Sequence, residues 1–267
     1  MSESTNPQLR PEMAKLPTYK AGKKVEPVNG LTAYKLSSNE IAHSPLPSVL
    51  AAIVDAAAEI NRYPDPFTTK LINALSEKFS VPVDQIATGT GSVGVCQQII
   101  QSVAGAGDEV IYAWRSFEAY PIITTIAGAV SVQVPLTDDG QHDLAAMLNA
   151  ITPKTRAIFV CTPNNPTGGI VTQQQINEFL AKVPKNILVV IDEAYVEFNR
   201  DENAIDGIAT MKATLMLEYF GLFLKHMDLL DCVLDILLVQ KILQMQFEKQ
   251  QSRLEFQTLR KLQLLHR

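Results

Sequence analysis

Two stretches decide the fold: Ala157-Ile158-Phe159-Val160-Cys161, running into Thr162-Pro163-Asn164-Asn165-Pro166-Thr167-Gly168-Gly169, and Leu188-Val189-Val190-Ile191, running into Asp192-Glu193-Ala194-Tyr195. Each opens with an unbroken apolar run of the kind a strand shows when both of its faces are covered. Between them Ile176, Phe179, Leu180 and Val183 recur at the i, i+3, i+4, i+7 spacing of one helix face. Strand, helix, strand predicts a parallel unit. The polar residues come directly after the strands, at the carboxyl edge of the sheet, where ligands sit in such folds.

The same alternation extends toward the N-terminus. Helical periodicity covers Val49 to Ile60 and Thr68 to Phe79, interrupted by Tyr63-Pro64-Asp65-Pro66. Strands are expected at Ile86 to Thr88, Glu109 to Ala113 and Val130 to Val134, and a helix at Val93 to Val103. Residues 1–30 read as an extended arm punctuated by proline. The sum predicts an α/β domain with a largely parallel sheet. From Leu215 to Leu243 the chain is Leu-rich and helical in pattern, but Lys225, His226, Asp228, Asp231 and Asp235 interrupt it, which argues against a membrane span.

Composition narrows the function. A chain of 267 residues with 46% apolar content has room for one large domain or two small ones. A net charge of −5, with no basic run and no recognition motif, argues against nucleic acid as a partner. Cys96, Cys161 and Cys232 are far apart, which speaks against metal ligation and disulfides and fits a reducing compartment. The N-terminus lacks an apolar signal core, so the expected location is the cytoplasm.

Several residues can carry chemistry. Thr88-Gly89-Thr90-Gly91-Ser92 joins a strand to a helix, and its free N–H groups can hold a phosphate; alone, it is equally a tight connection. Asn165 can donate to an oxyanion, though an isolated N-P-T-G is also simply a turn. Asp192 ends a buried strand, where a carboxylate is costly unless it meets a cation; the plainer reading is a turn cap. Tyr195 can aim its hydroxyl at the same acceptor as Asn165. Phe117 can cover a flat ring. Taken singly, both aromatic residues read as core, and Tyr63 as an exposed loop residue.

Together these segments resemble the fold-type I aminotransferases that depend on pyridoxal 5′-phosphate, in the histidinol-phosphate aminotransferase branch. Within it, the similarity is to the actinobacterial aromatic amino acid (phenylalanine) aminotransferases. It runs from about residue 9 to about residue 212. It includes R-P-E-M-A-K-L-P-T-Y, L-S-S-N-E at Leu36 to Glu40, R-Y-P-D, G-S-V-G-V-C-Q-Q, W-R-S-F-E-A-Y-P, T-P-N-N-P-T-G and D-E-A-Y-V-E-F. G-S-V-G-V-C-Q-Q and W-R-S-F-E point to the aromatic enzymes rather than the histidinol-phosphate enzymes, which stay as the alternative.

The resemblance implies a three-layer αβα large domain with a mostly parallel sheet, here incomplete, and a missing C-terminal small domain. It implies division into an N-terminal arm with a small-domain segment (residues 1–40), a partial cofactor-binding large domain (41–212) and an out-of-frame tail (213–267). By position, Ser92 and Val93 would hold the cofactor phosphate, Phe117 would stack on the ring, Asn165 and Tyr195 would bind its phenolic oxygen and Asp192 its nitrogen. Tyr63 would reach the phosphate of a partner subunit in a homodimer, and Asn39 would lie near the substrate. The substrates would be aromatic amino acids (phenylalanine, tyrosine) and 2-oxo acids such as 2-oxoglutarate.

The family's next landmark, R-T-F-S-K-A-Y-G-L-A-G-L-R, supplies its essential lysine. By register that lysine falls at Lys225, inside Phe223-Leu224-Lys225-His226-Met227-Asp228. Tyr219 to Asp235 can be encoded so that a neighbouring reading frame spells R-T-F-S-K-A-Y-G-L-A-G-L-R-V-G. This implies a frame change near residue 212 and predicts an out-of-frame, helical tail never selected to pack, with activity impaired or lost. The other class of reading is a remnant that binds the cofactor without catalysis, or does not fold.

Overall fold

The computed structural model describes residues 10–16, 29–31, 39, 44–213, 220–225 and 234–239. Its centre is one seven-stranded sheet in the order β1-β7-β6-β5-β4-β2-β3. The strands are β1 (Ile86–Thr90), β2 (Glu109–Trp114), β3 (Val130–Pro135), β4 (Thr155–Cys161), β5 (Leu188–Asp192), β6 (Phe220–Lys225) and β7 (Leu234–Val239). The helices are α1 (Pro47–Ala57), α2 (Thr69–Phe79), α3 (Gly91–Val103), α4 (Ala119–Ala127), α5 (Leu144–Asn149), α6 (Gln173–Leu180) and α7 (Gly207–Ala213).

Among the described strands only β7 runs against the rest: it pairs antiparallel with both β1 and β6, while β6-β5, β5-β4, β4-β2 and β2-β3 are parallel. The carboxyl ends of β1, β2, β4, β5 and β6 therefore share one edge. From β2 the chain moves outward to β3 and then returns to lay β4 on the other side, the reversal of direction at which open α/β sheets form a crevice.

Side chains alternate across the sheet with period two and build two cores. Ile111, Ile158, Val160, Val189 and Ile191 face one side, with Leu75 of α2, Met147 of α5, Ile176 and Phe179 of α6 and Met211 of α7. Val110, Tyr112, Phe159, Cys161 and Val190 face the other, with Val95, Ile99 and Ile100 of α3 and Tyr120 and Ile123 of α4. Helices cover both faces, the expected three-layer αβα arrangement. Each large aliphatic side chain so buried contributes about 1.5–3 kcal/mol.

Local signals set the helix ends. A reciprocal capping box between Thr172 and Gln175 starts α6, and the Asp143 carboxylate accepts from the Ala146 N–H to start α5. Gly128, at φ 85, ends α4. α1 buries none of its residues. No helix among the described residues is long and apolar enough to cross a membrane.

The tail departs from its helical pattern: its described parts, Phe220–Lys225 and Leu234–Val239, are strands. Short apolar runs are ambiguous in period, and here they satisfy the backbone groups that β5 and β1 would otherwise leave unpaired. The rest of the tail, and most of the arm expected over residues 1–40, lie outside the described residues.

The β1–α3 junction has no slack. A Cβ on Gly89 would stand 2.6 Å from Cγ2 of Val95, which is 1% exposed. Gly89→Ala should destabilise the chain by about 1–3 kcal/mol, read as a lowered urea midpoint.

Candidate active site

The loops that follow β2 and β4 are tied together by one buried amide. Asn164, 2% exposed, accepts from the Ser116 hydroxyl at 2.7 Å and donates to the Arg115 carbonyl at 3.1 Å and to Thr167 Oγ1 at 2.8 Å. Its own N–H donates to the Gly169 carbonyl, and the Gly168 N–H donates back to the Asn164 carbonyl, each at 2.7 Å. Gly168 takes φ 73, which closes this turn without strain. The Thr162–Pro163 and Asn165–Pro166 bonds are cis. With Asn164 committed to structure, Asn165 faces the cleft, and its Nδ2 donates to the Tyr195 hydroxyl at 3.4 Å.

Asp192 ends β5 with only 2% of its surface exposed, opposite Cys161 of β4 and Phe223 of β6. The Ala194 N–H donates to its Oδ1 at 3.1 Å, and the Tyr120 hydroxyl donates to its Oδ2. Burial, and then the Asp192 charge, push the Tyr120 hydroxyl well above its ordinary range, so it stays a donor. Burial and the same charge push the Cys161 thiol up, so it stays neutral. Tyr195 opens the short turn Val196–Phe198, and its hydroxyl also accepts from Asn39 Nδ2 at 2.8 Å.

Five of the residues singled out in the sequence, Ser92, Phe117, Asn165, Asp192 and Tyr195, line one cleft. Cys161 and Ala194 complete its floor. Asn39 joins the group through Tyr195. Ser92 arrives in the first turn of α3, where N–H groups have no helical partner. Val93, the next residue, turns its side chain outward, 44% exposed, and Tyr63 stands 81% exposed in its loop; neither lines the cleft. Lys225 is the last residue of β6, two positions beyond Phe223. Tyr120 was not among the residues singled out. Its signal was available: it lies three residues after Phe117, one helical turn, in F-E-A-Y.

A family model described as aminotransferase class I and II matches residues 32–220. The chain belongs to the class I and II aminotransferases. It is 59% identical over 208 residues to an aromatic amino acid aminotransferase of Streptomyces coelicolor, covering 78% of this chain and 57% of that protein. It is 52% identical over 197 residues to one from Corynebacterium diphtheriae, covering 74% and 56%. The chain thus spans a little over half the length of these relatives. Among solved structures, histidinol-phosphate aminotransferase from Sinorhizobium meliloti, in complex with pyridoxal-5'-phosphate, superposes with TM-score 0.80 over 93% of this chain and 67% of that one. At 23% identity that likeness shows the fold alone.

Beside Asp192, Glu193 is also 2% exposed, and its Oε1 accepts from the Gly207 N–H at 3.3 Å. Burial pushes its carboxyl from 4.5 up to about 8, against the opposing Gly207 bond and with Asp206, Asp192 and Glu197 adding to the rise. The folded chain therefore holds a proton that the unfolded chain releases, so stability falls as pH rises from about 4.5 through about 8. In melts across that range, Glu193→Gln should flatten part of the decline, since the amide keeps the acceptor and cannot ionise.

Proposed function

We propose that this chain carries the cofactor site of an aminotransferase that exchanges the amino group between aromatic amino acids (phenylalanine, tyrosine) and 2-oxoglutarate, with pyridoxal 5′-phosphate as cofactor. The observation that carries the reading is the buried Asp192 carboxylate at the floor of the same cleft as Ser92, Phe117, Asn165 and Tyr195. The named activity of the curated relatives supports the substrate class. The histidinol-phosphate alternative rests on a likeness of fold.

The donor set fits the cofactor. A buried carboxylate calls for a cation, and a protonated ring nitrogen is one. The Asn165 amide and the Tyr195 hydroxyl suit a phenolic oxygen, and Phe117 suits a ring face. The Ser92 hydroxyl and the first N–H groups of α3, a helix of 13 residues, suit a phosphate; Val93 would take part through its backbone. When bound, the cofactor supplies an electron sink for charge developing on the substrate.

Each residue then has a task. Asp192 would hold the proton on the ring nitrogen. Asn165 and Tyr195 orient the ring by its oxygen, and Phe117 excludes water from one face. Asn39, already on Tyr195, stands on the substrate side. Lys225 would be the amine that holds the cofactor and serves as the base; its place at the carboxyl end of β6, beside the strand that ends in Asp192, supports this. Tyr63, exposed in its loop, would serve the phosphate of a second copy in a homodimer.

Incubation with pyridoxal phosphate, borohydride reduction and peptide mapping should place a pyridoxyl group on Lys225; no adduct, or an adduct elsewhere, would overturn that role. Asp192→Ala should weaken cofactor binding at least about tenfold. Transamination should favour phenylpyruvate over imidazole acetol phosphate, and a frame-corrected chain should exceed the chain as it stands. The division at residue 212 and the frame change belong to the same proposal, supported by the family match ending at residue 220. Sequencing the DNA across codons 205–230 should reveal a one-base insertion or deletion against the frame that encodes R-T-F-S-K; an intact ancestral frame would refute it.

A further inference from the structure

We infer that Tyr120 is the positioning residue of this site, a single side chain that holds the ring-nitrogen carboxylate and the ring-stacking aromatic in fixed relation to each other. The inference rests on the cofactor reading above and goes beyond it to a residue that faces neither substrate nor cofactor.

Tyr120 is fully buried on the first turn of α4. Its hydroxyl donates to Asp192 Oδ2, while the Ala194 N–H takes Oδ1. Two donors from two different elements fix the plane of the carboxylate, which a single donor would leave free to rotate. Hydrogen bonds to the ionised form also stabilise the charge where water is excluded. Its ring meets Phe117 edge-on, with centroids 5.5 Å apart and an interplanar angle of 89°. Its N–H donates to the Phe117 carbonyl at 3.1 Å. Phe159, at 4.9 Å, and Tyr112, at 5.5 Å, brace it from behind. The hydroxyl therefore sets the carboxylate, and the ring sets Phe117. Burial keeps that hydroxyl protonated and able to donate.

The test separates the hydroxyl from the packing. Tyr120→Phe keeps the ring. Pyridoxal phosphate is titrated against the fluorescence of Trp114, the chain's single tryptophan, and the absorption band of the bound cofactor is recorded. Tyr120→Phe should bind about tenfold more weakly. Its band should shift in the same direction as in Asp192→Asn, because both changes weaken the hold on the ring-nitrogen proton. In the Asp192→Asn background, Tyr120→Phe should add little. Phe159→Leu, which loosens the same cluster and spares the hydroxyl, should lower the melting temperature and leave the band in place.

The inference is overturned if Tyr120→Phe binds and absorbs like the unaltered chain while Asp192→Asn does not, or if Phe159→Leu reproduces both effects. If Tyr120→Phe alone fails to fold, the double variant decides. A cooperative melt regained in Tyr120→Phe/Asp192→Asn assigns the hydroxyl to the carboxylate; continued failure assigns Tyr120 to packing and defeats the inference. Absence of cofactor uptake by the unaltered chain would instead bring down the proposed function, and this inference with it.

Discussion

A carboxylate shut away from water at the end of a central strand organises this molecule. Asp192 has lost almost all of its hydration, and a lone buried charge costs several kcal/mol unless hydrogen bonds and a counter-charge replace water. The Ala194 N–H and the Tyr120 hydroxyl replace part of it. The parallel ladder through β4, β5 and β6 holds Asp192 level with Cys161 and Phe223, so the charge sits at the sheet edge and not within the core.

The neighbouring asparagines show how one loop divides two duties. Asn164 spends its amide on the Ser116 hydroxyl, the Arg115 carbonyl and Thr167, joining the loops after β2 and β4. Asn165 is thereby left to the cleft. Adjacent residues of one type are not interchangeable here: the first fixes the wall and the second presents a donor from it. Asp192 and Glu193 divide in the same way, one facing the cleft and the other neutralised by burial and bound to the start of α7.

Much of this was legible in the sequence because the strands are short, apolar and closely followed by their polar residues. β4 and β5 are continuous buried runs, and Asn165 and Asp192 come at their ends, so the period and the position agreed. Helix α6 showed its buried face directly in Ile176, Phe179 and Leu180. Helix α4 was harder to see, because A-Y-P-I-I-T-T-I-A is apolar on nearly every side and carries a proline. With it went Tyr120, whose partner Asp192 lies far along the chain. The strands of the tail were hidden for a related reason: an apolar run of six residues takes its conformation from the neighbour that needs pairing, not from its own period.

The antiparallel strand β7 lies between β1 and β6, elements far apart in the chain. The first of the described strands to leave the ribosome finds its ladder partner in the last of them, so its hydrogen-bonding edge waits unmatched while most of the domain is being made. Closure of such distant pairings is slow, and an unfilled strand edge invites association with other chains. For a nascent polypeptide of this design, the hazard lies in the interval before the sheet is completed, and whatever alters the late segment lengthens that interval.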